Sequence, residues 1–265
     1  MTSRHSEPGA TSRPGCIAIT GAASGIGLRV ASDLVVRGHH VWCLDRDADR
    51  LADAVEGLQA SGEADALALD VGDEAAVAAA FGTIGSACDG RLGGLVNSAG
   101  VLIVGQFETL EPAQWELAFR VNVLGSYLTL KHAIPLLRAS PPGRVVNLAS
   151  IAGKLPGAFT APYNASKAAV ISLTRSAAAA LGPDILVNSV CPGPVDTPMY
   201  REMDAGLDRA DAPEDLRFAR RSIMSPLGRA ATVEDISAAI LFLLSDAASG
   251  VTGEDLNVSA GFVMH

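Results

Sequence analysis

TGAASGIG, residues 20–27, lies between the apolar run CIAIT and the stretch IGLRVASDLVVRG, in which apolar residues recur at helical spacing until Gly38. Glycines at a strand-to-helix handover let the backbone turn sharply and approach a pyrophosphate, while the helix N-terminus offers free N–H groups and partial positive charge. The segment therefore predicts an anion cradle at the end of a first strand. Its spacing is G-x-x-x-G-x-G, so the generic G-x-G-x-x-G dinucleotide fingerprint is not matched letter by letter, and ordinary turn chemistry is the competing reading.

Outward from that turn the chain reads as strand then helix, repeatedly. HVWCLD, ADALALD, GGLVNSAG, GRVVNLAS, DILVNSVCPG and DLNVSAG have the composition of buried strands. Between them lie helical stretches, including a long one from Glu111 to about Arg138 and another around YNASKAAVISLTRSAAAAL. Alternation of this kind implies βαβ units and a parallel sheet covered on both faces, an α/β fold. No Ser- or Pro-rich linker divides the chain and no repeat of fixed period is visible, so a single domain over 15–265 is expected. Residues 1–14 are polar, lack the apolar core of a signal peptide or anchor, and read as a loose tail.

Composition narrows the function. Twenty-nine acidic against twenty basic side chains leave a formal charge of −9, which repels phosphate backbones and argues against nucleic acid and acidic membranes as partners. The longest apolar runs fall short of the roughly 20 residues a bilayer-spanning helix needs, so a soluble, cytoplasmic protein is expected. Cys16, Cys43, Cys88 and Cys191 lie far apart without a CxxC pair, and three of them sit in strand-like runs; they read as reduced core residues, not a disulfide framework. The five histidines are scattered, with no pair at metal-ligand spacing, and no metal is expected.

Two further stretches carry chemistry. Asp45 ends the second strand twenty residues after Gly25, where an acidic side chain accepts hydrogen bonds from an adenosine ribose; its alternative role is to cap the helix opened by DRDADRL. A carboxylate there repels a 2′-phosphate and favours NAD over NADP, although Arg46 beside it keeps NADP open. In YNASK, Tyr163 precedes Lys167 by four residues, about one helical turn, so phenol and ammonium project from one face. A phenol has a free pKa of about 10 and is a poor base near neutrality; nearby positive charge favours the phenolate.

In these motifs and their order, the chain from about Gly15 to Gly261 resembles the short-chain dehydrogenases/reductases. The resemblance implies a single-domain, Rossmann-like, doubly wound parallel sheet of about seven strands with helices on both faces. It implies cofactor contacts at Gly21, Ser24, Gly25, Ile26 and Gly27 of the glycine turn, at Asp45, at Asp70 and Val71 of LDV, and at Asn97, Ala99 and Gly100 of NSAG. Pro192, Gly193, Val195 and Thr197 of PGPVDTPM are implied as contacts to the nicotinamide carboxamide, and Tyr163 and Lys167 touch the cofactor as well. The implied catalytic set is Asn122, Ser150, Tyr163 and Lys167. The resemblance implies that Tyr163 exchanges the proton, Ser150 steadies the substrate oxygen, Lys167 holds the nicotinamide ribose and Asn122 holds a water of a proton relay.

Residues 198–226 mix charged and apolar side chains and are expected to form a lid, with Ala152, Leu155, Met199 and Tyr200 lining a substrate pocket. Arg201, Arg217, Arg220 and Arg221 are candidates to meet an anionic substrate. The implied reaction is NAD(P)-linked interconversion of a secondary alcohol and a ketone, whether polyol, 3-oxoacyl thioester or hydroxysteroid-like, by a homo-oligomer, tetrameric or dimeric. A dinucleotide-binding redox sensor without turnover is the other reading; an intact Ser150, Tyr163 and Lys167 favours the enzyme.

Overall fold

Ile17 and Ile19 face one side of the first strand, packed among Val30, Leu34 and Ile240, whereas Ala18 between them faces Trp42, Leu95 and Val145 on the other. This period-2 alternation of residues buried on both faces is what a central strand of a two-sided sheet requires. The computed structural model describes residues 15–264, apart from the side chains of 221 and 222; the tail expected at 1–14 lies outside the described residues. Along the chain run β1 Cys16–Thr20, α1 Gly25–Val36, β2 His40–Asp45, α2 Ala48–Gln59, β3 Ala64–Ala68, α3 Glu74–Ala87 and β4 Gly94–Asn97. Then come α4 Pro112–Phe119, α5 Gly125–Arg138, β5 Gly143–Leu148, α6 Ala161–Leu181, β6 Ile185–Pro192, α7 Pro198–Arg209, α8 Phe218–Ile223, α9 Val233–Leu244 and β7 Asp255–Val258.

The seven strands form one sheet in the order β3-β2-β1-β4-β5-β6-β7, with every pairing parallel. Helices α1, α2 and α9 cover one face and α3, α5 and α6 the other, giving the doubly wound fold expected from the alternating pattern. Strand order reverses between β1 and β4, so the loops leaving their carboxyl ends diverge and open a crevice there, the usual ligand position in such sheets.

Two features depart from expectation. The helical stretch after Glu111 is interrupted by a π-helical turn over Arg120–Leu124, which links α4 to α5 and carries Asn122. π-turns of this kind are frequent at functional sites. The cysteine reading is corrected: Cys43 and Cys191 are buried free thiols, but Cys16 and Cys88 form a disulfide, with Cα atoms 6.2 Å apart. Their 72-residue separation hid the pairing. Parallel addition of β4 beside β1 brings the C-cap of α3 back to the start of β1, where Gly93 N–H also bonds to Cys16 carbonyl at 2.9 Å.

Candidate active site

The loops at the carboxyl ends of β1, β4, β5 and β6 enclose a cavity of about 360 Å³. Gly21 begins its floor at φ +68°, a left-handed conformation suited to glycine, and a Cβ built there falls 2.7 Å from the backbone nitrogen of Ala99. Thr20 Oγ1 closes the same junction by accepting from the N–H groups of Ser98 and Ala99, both at 3.1 Å. Ser24 caps α1 without a side-chain hydrogen bond, so its hydroxyl and the first-turn N–H groups remain available for an anion.

At the far end, Asp45 Oδ2 accepts from Ala23 N–H at 3.2 Å and Oδ1 from Asp47 N–H at 3.1 Å. Helix α2 is capped by Asp47, whose carboxylate accepts from Arg50 N–H, so Asp45 is not the cap and lines the cavity. Burial alone would raise the Asp70 carboxyl; hydrogen bonds from Arg120 (2.7 Å) and Gly72 N–H (2.8 Å) outweigh it and hold the group below the usual carboxylate range.

The opposite end is built by β5 and α6. Ser150 follows β5 in extended backbone and caps a short 3-10 turn by accepting from Ala152 N–H at 3.1 Å, while its side chain also hydrogen-bonds the Tyr163 phenol. Asn164 donates to the carbonyls of Ala152 and Leu155, both at 2.8 Å, and so pins the loop bearing Ser150 against the helix bearing Tyr163. Lys167, one turn on, donates to the Leu148 carbonyl at 2.6 Å and places its nitrogen 5.7 Å from the Tyr163 ring centre. Asn122 Nδ2 donates to Ser166 Oγ at 2.8 Å and to Val101 carbonyl at 3.0 Å, and Oδ1 accepts from Val101 N–H at 2.8 Å. A Cβ at Gly100 would meet Asn122 Oδ1 at 3.2 Å and Lys167 Nζ at 3.6 Å, so a glycine here lets the backbone lie close against the two polar groups.

Electrostatically, the pair does not behave as YNASK alone suggests. Burial pushes the Tyr163 phenol up to about 12, against the lowering effect of Ser150, although the side chain keeps partial contact with solvent through the cavity. The four-residue spacing by itself does not make the tyrosine acidic. Burial likewise pushes Lys167 down to about 8 from 10.5. Between those values the unfolded chain binds more protons than the folded one, so this residue makes stability rise with pH across that window. Lys167→Met is expected to lose that contribution. The difference between the two proteins in denaturant midpoint, followed from pH 8 to 10.5, measures it, and a constant difference refutes it.

Of the positions singled out in the sequence, Gly21, Ser24, Gly25, Ile26, Asp45, Asp70, Val71, Ala99, Gly100, Ser150, Tyr163, Lys167, Pro192, Gly193, Val195 and Thr197 line the cavity, as do Ala152, Leu155, Met199 and Tyr200. Gly27, Asn97 and Asn122 stand behind its wall. The Asn97 amide is turned into the sheet, donating to Asn147 Oδ1 at 2.9 Å and accepting from Thr129 at 2.7 Å. The arginines do not gather at the cavity: Arg201 pairs with Asp196, Arg217 with Asp208, and Arg220 is exposed elsewhere; the Arg221 side chain lies outside the described residues. Sequence reading missed Asn164 and Leu102. The first sits inside YNASK itself; the second gives no local signal.

A model of the family described as enoyl-(acyl carrier protein) reductase matches residues 21–263. The chain is 37% identical to 2-(S)-hydroxypropyl-CoM dehydrogenase 3 of Xanthobacter autotrophicus, over 92% of this chain and 95% of that one. Among solved structures it is similar to a short-chain type dehydrogenase/reductase from Mycobacterium ulcerans, with TM-score 0.86 and 32% identity over 96% of this chain and 91% of the other. It is also similar to a 3-oxoacyl-[acyl-carrier protein] reductase with bound NAD from Brucella melitensis, with TM-score 0.82 and 29% identity over 96% and 93%. With the doubly wound sheet, the cavity at its switch point and these likenesses together, the chain belongs to the short-chain dehydrogenase/reductase family of nicotinamide-dinucleotide oxidoreductases.

Proposed function

We propose that the protein is an NAD-linked dehydrogenase that interconverts a secondary alcohol and its ketone, with Tyr163 as the proton-transferring group. The observation that carries this reading is the meeting of Ser150, Tyr163 and Lys167 at one end of a cavity whose other end holds the glycine turn and Asp45. A nicotinamide dinucleotide, when bound, supplies the carbon that accepts or returns hydride and, when oxidised, a positively charged ring.

The chain's own residues do the rest. Ser150 and Tyr163 hold the substrate oxygen between them; Tyr163 takes its proton during oxidation and returns it during reduction. Bringing a phenol from about 12 to working range near neutrality requires roughly 6 kcal/mol, at about 1.4 kcal/mol per tenfold. With Lys167 already in place burial still holds the phenol at about 12, so a further cation, such as an oxidised nicotinamide ring, is needed to bring it toward neutrality. The Asn122 amide fixes the loop at Val101.

Leu102, Leu155, Met199, Tyr200, Met203 and Phe262 make the substrate end apolar, and Glu202 is the acidic residue among its lining. A neutral alcohol with a hydrophobic body fits better than a polyol or an anion. Helix α7 closes over this end as a lid, with Phe218 of α8 packed against its Tyr200 ring. The exposed Phe119, Leu124 and Tyr127 beside the π-turn suit burial in a homo-oligomer. The test is to follow nicotinamide absorbance with NAD and NADP across linear and alicyclic secondary alcohols and their ketones. Dinucleotide binding without turnover across that panel overturns the reading. Asp45→Ala is expected to weaken NAD by roughly tenfold or more, from loss of charge-assisted bonds of about 1.5–3 kcal/mol, and to narrow the NAD/NADP preference. An unchanged preference removes Asp45 from the ribose.

A further inference from the structure

At the amino-terminal end of β1 and β2, the end of the sheet opposite the cavity, Cys16, Cys88 and His40 place two sulfurs and a ring nitrogen within 4.8 Å of one another. His40 Nδ1 is 3.8 Å from Cys16 Sγ, and its Nε2 is 2.7 Å from Asp65 Oδ2. An ionised carboxylate only accepts, so Nε2 carries a hydrogen, and Nδ1, when it carries none, offers its lone pair on the side of the sulfurs. Trp42 Nε1–H donates to Cys88 Sγ at 3.2 Å, a bond that favours negative charge on that sulfur. Glu63, largely exposed, brings Oε2 to 4.0 Å from Nδ1.

From this geometry we infer that, once the Cys16–Cys88 bond is reduced, the three side chains form a site for one zinc-class divalent cation. The fourth position is left to solvent or Glu63. The donor set of two thiolates and one imidazole suits a borderline-soft, tetrahedral ion, and the Asp65–His40 bond is the carboxylate support that metal-binding histidines use. With metal–sulfur and metal–nitrogen distances of about 2.3 and 2.0 Å, a tetrahedral ion sets nitrogen and sulfur about 3.5 Å apart and the two sulfurs about 3.8 Å apart. The nitrogen–sulfur separation to Cys16 is already close to that, and Cys88 Sγ lies within 4.8 Å of both, so the sulfurs must part for an ion to enter. Disulfide and metal site are alternative states of the same atoms. A dithiol reductant breaks the protein S–S bond, becomes a cyclic disulfide, and passes its two hydrogens to Cys16 and Cys88. Cation binding then releases both thiol protons to the buffer.

The test uses the full, untagged chain, reduced with a dithiol, desalted without oxygen and titrated with cobalt(II). Expected is one equivalent bound, with a near-ultraviolet thiolate-to-metal band and intense visible bands of tetrahedral cobalt, displaced by zinc. Cys88→Ser should abolish the tetrahedral spectrum although Cys43 and Cys191 remain, and Asp65→Asn should weaken binding about tenfold. Three results overturn the inference: no thiolate band in wild-type protein whose four cysteines titrate as free thiols, the same spectrum retained in Cys88→Ser, or a Cys16–Cys88 bond that the dithiol does not open in the folded protein.

Discussion

Tyr163→Phe is expected to lower turnover by roughly 10³-fold, within the range of about 10²–10⁴ for loss of a general acid–base group. NAD affinity should stay within a few fold, because the Lys167 ammonium is held by the Leu148 carbonyl and not by the phenol. The pH dependence separates this from simple misfolding. Burial holds the phenol high, so in the active protein alcohol oxidation should speed up as pH rises through its working pKa and ketone reduction should slow. The residual rate of the variant should lose that opposed pair of slopes. Steady-state rates in both directions, with a dinucleotide binding titration on the same samples, check this. A variant with near-normal rates would show that another group moves the proton.

Opening the Cys16–Cys88 bond carries the second large effect. The bond closes a loop across 72 residues, and the chain-entropy relation assigns such a loop about 4 kcal/mol of folded-state advantage at 25 °C. For a chain of this size that corresponds to a melting shift of roughly 8–16 °C. Cys88→Ser, or wild type in dithiol with a strong chelator, should therefore melt that far below the oxidised protein. A midpoint unchanged to within a degree or two would show that the crosslink constrains nothing in the unfolded chain.

What the sequence disclosed is the part of the molecule governed by local physics. CIAIT, HVWCLD and GRVVNL announce strands because their residues are buried on both faces, and each became one. The glycine turn and the Tyr163–Lys167 pair are contiguous or one helical turn apart, so their neighbourhood needs no tertiary information. Asp45 was harder, since an aspartate before a helix is normally its cap; only the position of Asp47 two residues on decides the matter. The remainder depends on which strands lie side by side. Cys88 meets Cys16 and Asn97 meets Asn147 across sheet neighbours, Arg120 meets Asp70 from a helix, and no spacing along the chain encodes those meetings. The same holds for acidity: YNASK places an ammonium near a phenol but says nothing about the desolvation that drives the phenol the other way.

The π-turn at Arg120–Leu124 has an effect on which changes of length this protein tolerates. Arg120 reaches Asp70 in the cavity wall and Asn122 reaches Ser166 in the helix that bears Tyr163, so five consecutive residues brace two sides of the cavity. Removing one of them to restore a regular α-helix would rotate everything upstream by about 100° relative to α5. Trp115 and Leu117 would then swing away from their present neighbours while the sheet stayed put. The helix is thus indel-intolerant at its midpoint, and shortening variants should be sought in the connections before α4 or after α5.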